Sequence, residues 1–288
     1  MAPVLETTSL TKRYRRGQYA LVDLDLSVAR GEIFGLLGPN GSGKSTTLRL
    51  LLGFIKPTRG RASVTGFDCW HDSLRVRQRV AYLPGELRLY EKMTGNELLA
   101  FLTRLRNTRW INDPIQLARQ FDVDLSRPLS HLSSGMKRKI ALLTVLIPKV
   151  DLIILDEPTN TLDPIMRDLL LTLLRTARDR GQTIVFSSHV LTEVEQVCDR
   201  VGILKDGRLV HLQVIQEMTE RRVDVRFASL PQTWPDFVPP PRSLTHVFNY
   251  QGPLPRLLDW LAQQSILDLR IHSSGLAPIY QKYHHDLA

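Results

Sequence analysis

The spacing of apolar and polar positions changes period several times along the chain, and each change marks an element. Val22, Leu24, Leu26 and Val28 alternate with Asp23, Asp25 and Ser27, the two-residue period of a strand buried on one face, as in an antiparallel sheet. Ile33-Phe34-Gly35-Leu36-Leu37 is continuously apolar, as a central parallel strand covered on both faces must be. It runs into a glycine-rich stretch and then a predicted helix over 45–52, which Gly53 stops. Val80-Ala81-Tyr82-Leu83 repeats the buried-strand pattern. Thr94-Gly95-Asn96-Glu97 has the spacing of a capping box ahead of the helical run Leu98-Leu99-Ala100-Phe101-Leu102.

From about 87 to 148 no strand pattern occurs, which predicts a helical subdomain inserted into the parallel sheet. Alternation then resumes, with strands over 152–155, 183–187 and 201–204 and helices over 164–180 and near 192–198. The longer helix is well punctuated, with Asp163 as N-cap, Pro164 at its first position and Gly181 just past its end. Asp206-Gly207 marks a hairpin. After about Val214 the character shifts. Pro231, Pro235 and Pro239-Pro240-Pro241 lie between strand-like runs at 223–227 and 244–250, followed by a helix over 254–263 and a strand over 267–271. The pattern predicts an α/β domain over 1–214, with an antiparallel β part and a helical insert over about 87–148, and a small α+β domain over 215–288.

Composition narrows the classes. The chain has 288 residues, 43% hydrophobic and 23% charged, and no run approaches the ~18–20 uninterrupted apolar residues of a membrane span. Its first fourteen residues lack the zones of a secretion signal, so a cytoplasmic protein is expected. Cys69 and Cys198 have no metal-ligand or redox spacing and read as reduced structural thiols. The net charge of +9 suits either nucleic acid or an anionic membrane surface. The densest basic clusters, Lys12-Arg13-Tyr14-Arg15-Arg16 and Lys137-Arg138-Lys139, lack the interleaved stacking aromatics of a nucleic-acid surface and read as solvated faces.

Three stretches carry chemistry. Gly38-Pro39-Asn40-Gly41-Ser42-Gly43-Lys44-Ser45 fits the phosphate-loop pattern, in which backbone N–H groups and a helix N-terminus surround phosphate oxygens. Lys44 then pairs with the β- and γ-phosphates, Ser45 offers a hydroxyl to Mg²⁺, and Thr46 reaches the α-phosphate. Leu152-Ile153-Ile154-Leu155-Asp156-Glu157 is an apolar strand ending in two carboxylates at the sheet's carboxyl edge. Asp156 is suited to hold Mg²⁺ through water and Glu157 to take a proton from an attacking water; the pair is also what an N-cap for the next helix looks like. His189, after the strand over 183–187, is placed to donate to a γ-phosphate oxygen or to serve a structural role.

Leu132-Ser133-Ser134-Gly135-Met136, Asn160-Thr161-Leu162-Asp163 and Ser187-Ser188-His189, taken in order with the phosphate loop and the acidic pair, resemble the ATP-binding cassette family over about 4–212. The resemblance implies a P-loop NTPase core and an ATPase that uses ATP and Mg²⁺. It implies that Tyr14 stacks on adenine. Ser133 and the N–H groups of Ser134 and Gly135 would face a γ-phosphate held by a second cassette subunit, although Ser133 is equally an ordinary N-cap. Asp163 would lie in the loop that crosses the dimer interface. Two copies would sandwich two ATP, with Glu157 as base and Lys44 and His189 stabilising developing charge. The dimer would drive separate transmembrane permease subunits of exporter type at the cytoplasmic face of the membrane. A soluble cassette ATPase acting on nucleic acid or ribosomes is the alternative. On the transporter reading no direct nucleic-acid partner is expected, and Lys137-Arg138-Lys139 becomes the solvated side of the signature helix.

Two positions depart from the family pattern. A glutamine that contacts the metal and couples nucleotide state to the transmembrane partner is replaced in Tyr82-Leu83-Pro84-Gly85-Glu86 by Gly85, so either Glu86 or a water takes the metal contact or coupling tolerates its absence. Thr161 puts a β-branched side chain where the interface loop commonly has a small residue.

Overall fold

A computed structural model of the chain describes residues 2–14, 17–106, 110–218, 220–231, 233–240, 243–273 and 275–284. Arg15 and Arg16 of the first basic cluster and Pro241 of the proline-rich stretch lie outside the described residues. The chain divides into two compact units, 1–213 and 214–288.

The first unit begins with β1 (Leu5–Arg13) and β2 (Tyr19–Val28), an antiparallel pair, and continues through β3 (Ile33–Leu37) into α1 (Lys44–Leu51). Then come β4 (Arg59–Val64), β5 (Phe67–Asp68), α2 (Ser73–Arg79) and β6 (Val80–Leu83). The segment before the next strand is helical, with α3 (Gly95–Arg106), α4 (Pro114–Gln120) and α5 (Ser134–Leu146). β7 (Leu152–Asp156), α6 (Pro164–Asp179), β8 (Thr183–Ser188), α7 (Leu191–Val197), β9 (Arg200–Lys205) and β10 (Arg208–Val214) follow.

Two sheets result. The larger has the order β10-β9-β3-β8-β7-β6, and its β9-β3-β8-β7-β6 part is parallel. β3, β7 and β8 are buried at every position, which explains the absence of alternation in their sequences. The smaller sheet, β2-β1-β4-β5, is antiparallel. Its inner residues Leu5, Leu10, Leu21, Leu24 and Val64 share a core with Phe34, Leu36, Ile154 and Val185 of the larger sheet and Leu48 and Leu51 of α1. Each such side chain removed from water contributes roughly 1.5–3 kcal/mol, and together they fix the loop after β3 against the β1–β2 layer.

Local chemistry sets the element ends. Asp163 accepts from Met166 N at 3.0 Å, Pro164 opens α6, and Gly181 takes the left-handed conformation beyond its end at φ 87°. At α3 the capping box closes reciprocally: Thr94 N donates to Glu97 Oε2 at 2.8 Å and Glu97 N to Thr94 Oγ1 at 3.2 Å. Donation from Thr94 N, and from Thr94 Oγ1 at 3.1 Å, holds the Glu97 carboxyl below its ordinary value. β7 and β8 each run one residue further than their apolar runs predict, because Asp156 pairs with Ser187 and Ser188 with Leu37 in the ladders. β1 and β4 carry too few apolar residues in alternation to be read as strands. β1 shifts register between Thr7 and Leu10, where Ser9 adopts φ 45°, and such a bulge breaks the two-residue period.

The second unit contains β11 (Glu220–Phe227), β12 (Thr245–Gln251), α8 (Leu254–Leu261), β13 (Ile266–Ser273) and α9 (Ala277–His284). β11 is central in the antiparallel order β12-β11-β13. Val223, Val225 and Phe227 on one face pack with Phe248, Tyr250, Leu257 and Leu261, and Trp234 and Trp260 lie 5.4 Å apart beside them. Among the described residues no helix is long and apolar enough to cross a membrane. Cys69 and Cys198 are buried free thiols. Burial pushes Cys69 up to about 12 and raises Cys198 as well, so neither ionises near neutrality.

Candidate nucleotide site

β3, β8 and β7 are adjacent in the parallel sheet, so their carboxyl ends place the phosphate loop, His189 and the Asp156-Glu157 pair side by side. That edge is where parallel sheets bind ligands. The loop 38–43 leaves buried β3 and enters α1 through Gly43, its N-cap, at φ 108°. A Cβ there would lie 2.7 Å from Ala20 O of β2, whereas a Cβ on Gly41, at φ 82°, would meet nothing within 4 Å. The loop is therefore tight on its protein side at Gly43 and open at Gly41.

Lys44 is 5% exposed. Its ammonium donates to Gly38 O at 2.6 Å and Pro39 O at 3.1 Å and lies 3.5 Å from Glu157 Oε1. His189 Nδ1 approaches that same carboxylate oxygen, also at 3.5 Å. Asn160 Nδ2 donates to the other, Oε2, at 2.7 Å. Burial raises the Glu157 carboxyl, but the Asn160 amide, the Lys44 ammonium and His189 outweigh it and hold Glu157 below its ordinary value. Glu157 is thus an ionised carboxylate at neutral pH, clamped between the phosphate-loop lysine and the histidine, on a backbone with φ 45°.

Asp156 faces differently. Its Oδ1 accepts from Ser187 Oγ at 2.6 Å, and its Oδ2 looks toward Gly85, where an added Cβ would sit 3.5 Å away. Asp156, Glu157, Ser45, Asn40, Arg49, Tyr82, Gly85, Glu86 and Asn160 help line one cavity of about 550 Å³. Burial, then the Asp156 charge, push the Tyr82 hydroxyl up to about 12, so it stays protonated. Among the described residues no cluster of three or more His, Cys, Asp or Glu could hold a metal. One carboxylate, a serine hydroxyl and water are nevertheless the hard oxygen set that suits Mg²⁺ beside a phosphate. Gly85 faces Asp156 in this cavity, and Glu86 is exposed on its rim.

Other candidates lie outside this lining. Tyr14 is 42% exposed in the turn after β1, where its N–H donates to Gln18 O at 3.0 Å. Ser133 caps α5, its Oγ accepting from Met136 N at 3.2 Å, so the plain N-cap reading of Ser133 holds whatever else it does. Ser134 is exposed. Gly135 abuts the loop before α6 of its own chain, since an added Cβ would lie 3.3 Å from Thr161 O. Thr161 sits at φ 68°, a left-handed conformation that a β-branched residue adopts only under strain. Asp163 is spent as the α6 N-cap and remains exposed. One chain therefore brings Lys44 and His189 against Glu157 and sets Ser45, Asp156 and Glu157 in one cavity whose lining does not include Ser133, Ser134 or Gly135.

The basic triplet corrects the sequence reading. Lys137 pairs with Glu91 at 2.8 Å near the surface, but Arg138 is 2% exposed and does not belong to a solvated face. The signal was periodicity: Arg138 precedes Ala141, Leu142 and Val145, all buried, at the three-, four- and seven-residue spacing of the inner stripe of α5. Sequence reading also passed over Glu193. It is 2% exposed and accepts from Thr159 Oγ1 at 2.9 Å and Ser188 Oγ at 3.0 Å, tying the loop after β7 to the end of β8.

The family profile described as ABC transporter matches residues 21–160. The bacitracin transport ATP-binding protein BcrA of Bacillus licheniformis is 36% identical over 218 residues, spanning 73% of this chain and 69% of that protein. The chain belongs to the ABC transporter family. It is an ATP-binding cassette ATPase. The daunorubicin/doxorubicin resistance ATP-binding protein DrrA of Streptomyces peucetius is 34% identical over 211 residues, spanning 72% of this cassette chain and 64% of that protein. A solved structure described as the ATP-binding subunit of an ABC transporter superposes with a TM-score of 0.67 at 31% identity, covering 75% of the cassette chain and 91% of the other.

Proposed function

We propose that this cassette chain is the ATP-hydrolysing subunit of an exporter, in which two copies sandwich two ATP and drive separate transmembrane subunits at the cytoplasmic face of the membrane. The observation that carries the catalytic part is the Glu157 carboxylate, held within 3.5 Å of both Lys44 and His189. ATP in the loop 38–46 draws the Lys44 ammonium from the Gly38 and Pro39 carbonyls to its β- and γ-phosphates, and Tyr14 stacks on the adenine. Mg²⁺ would be held by Ser45 and, through water, by Asp156, with Glu86 or a further water in place of the glutamine, and would neutralise charge on the phosphates. Glu157, released from Lys44, accepts the proton of the attacking water, and His189 donates to the γ-phosphate as its charge develops.

The signature turn acts in trans. Ser133, Ser134 and Gly135 open a helix whose N-terminal N–H groups attract anions, and they stand apart from their own chain's cavity. The partner's γ-phosphate is the ligand for that turn, with Asp163 beside it at the interface. Export and the membrane partners rest on likeness to proteins named for bacitracin transport and daunorubicin/doxorubicin resistance. Burial of Arg138 breaks up the basic triplet, which removes support for the nucleic-acid reading. The test is Glu157→Gln in the purified full chain. ATP binding should persist while hydrolysis falls by about 10²–10⁴-fold, the usual contribution of a general base. Hydrolysis at the wild-type rate would remove Glu157 from the mechanism.

A further inference from the structure

Arg138 lies on the inner stripe of α5, one helical turn beyond Ser134 of the signature motif, so its guanidinium is carried into the interior rather than to solvent. A guanidinium has five N–H donors and no acceptor, and here all five are used. Nε donates to Pro158 O at 3.2 Å, Nη1 to Pro84 O at 2.8 Å and Gly85 O at 3.1 Å, and Nη2 to Asp156 O at 3.1 Å and to Glu157 O. Every acceptor is a backbone carbonyl, and they come from two segments only. One is the turn after β6 that holds Gly85; the other is the end of β7 that holds both carboxylates. Pro84, Gly85, Asp156 and Glu157 all line the nucleotide cavity. Burial pulls the guanidinium below its ordinary value, and the charges of Asp156 and Glu157 oppose that pull.

We propose that Arg138 is a positioning residue that locks the signature turn of each chain in fixed register with that chain's own catalytic carboxylates and Gly85 turn. Because the signature turn serves the partner's nucleotide, this tie links the two sites of the dimer through backbone rather than through a side chain at position 85. The planar fork is what allows one group to hold two segments at once. A lysine in its place has three donors on a single atom and cannot span five carbonyls, and a methionine satisfies none. The proposal rests on the reading of Glu157 as base and of the signature turn as acting in trans.

The test uses the full chain carrying Arg138→Lys or Arg138→Met, each in the wild-type and in the Glu157→Gln background. In the wild-type background kcat should fall at least tenfold for both substitutions. Equilibrium binding of a fluorescent ATP analogue, which depends on the untouched loop 38–46, should change less than threefold. In the Glu157→Gln background, the ATP concentration at which the chain dimerises, read by size-exclusion chromatography, should rise at least tenfold. A kcat and a dimerisation midpoint within twofold of the parents would overturn the proposal, whatever the thermal stability does. So would a loss of analogue binding in proportion to kcat, which marks general damage to the fold. If Arg138→Met does not fold, Arg138→Lys, which keeps the charge and the stem, gives the answer. Wild-type hydrolysis by Glu157→Gln alone would instead refute the catalytic reading, and the split between kcat and analogue binding would still decide Arg138.

Discussion

Alanine at Gly43 and alanine at Gly41 differ in one physical respect, and the difference measures how tightly the phosphate loop is held by the layer beneath it. Both glycines have positive φ, 108° and 82°, so alanine at either site pays the left-handed penalty of roughly 1–2 kcal/mol. Only at Gly43 does the new methyl collide with backbone, 2.7 Å from Ala20 O, where the neighbour is a strand and cannot swing away. Forcing a methyl into such a site costs a further 1–3 kcal/mol or so, which brings Gly43→Ala to about 2–5 kcal/mol. For a unit of this size about 1 kcal/mol moves Tm by roughly 2–4 °C. Gly41→Ala should therefore lower Tm by about 2–8 °C and Gly43→Ala by about 4–20 °C, the gap between them being the collision alone. Differential scanning calorimetry of the two variants beside the wild type resolves this. Equal losses would refute the claim that β2 clamps the loop at Gly43.

Three further outcomes follow from the same geometry. His189→Ala should lower kcat by about 10²–10³-fold, as loss of one donor to a developing oxyanion does, with ATP affinity little changed by equilibrium binding; a parallel loss of affinity would make His189 a ground-state ligand instead. Glu193→Ala leaves the hydroxyls of Thr159 and Ser188 without their shared acceptor and should cost about 1–3 kcal/mol, read as a Tm loss that Glu193→Gln partly recovers. Glu97 has a folded-state value below its ordinary one, so its capping contribution is present above the unfolded value of about 4.3 and is lost as pH falls through the folded value. The protection factors of the Thr94 and Glu97 amides, corrected for intrinsic exchange, should fall as pH drops through that window in the wild type and stay constant in Glu97→Gln.

Much of the parallel sheet and its carboxyl edge was legible because burial on both faces leaves an unmistakable apolar run, as in Ile33 to Leu37 and Leu152 to Leu155. The ends of α6 were legible because Asp163, Pro164 and Gly181 each solve a local backbone problem. The strand β1 was not, since its bulge at Ser9 destroys the alternation, and β4 was not, since Arg59, Gly60 and Arg61 are exposed and only Ala62 and Val64 are buried among its apolar positions. The site divides in the same way. Lys44, Asp156, Glu157 and His189 stand at strand ends, where sequence order alone puts them on one edge. Arg138 and Glu193 satisfy groups from segments distant in sequence. A basic triplet and a glutamate on a short helix give no local sign of carbonyls and hydroxyls that only the folded chain brings to them.

The central claim is that each nucleotide site is completed by the partner's signature turn, and mixing two disabled chains tests it. Lys44→Met removes the phosphate-loop ammonium, and Ser134→Glu sets a negative charge at the α5 N-terminus, which suits the helix but repels a γ-phosphate. Each variant alone should have no ATPase activity. In an equimolar mixture half of the dimers pair one variant with the other, and each such dimer holds one site built from an intact phosphate loop and an intact signature turn. For a two-fold dimer the mixture should recover about a quarter of the wild-type rate. A mixture as inactive as its two components would place both elements of the site in one chain and contradict the account.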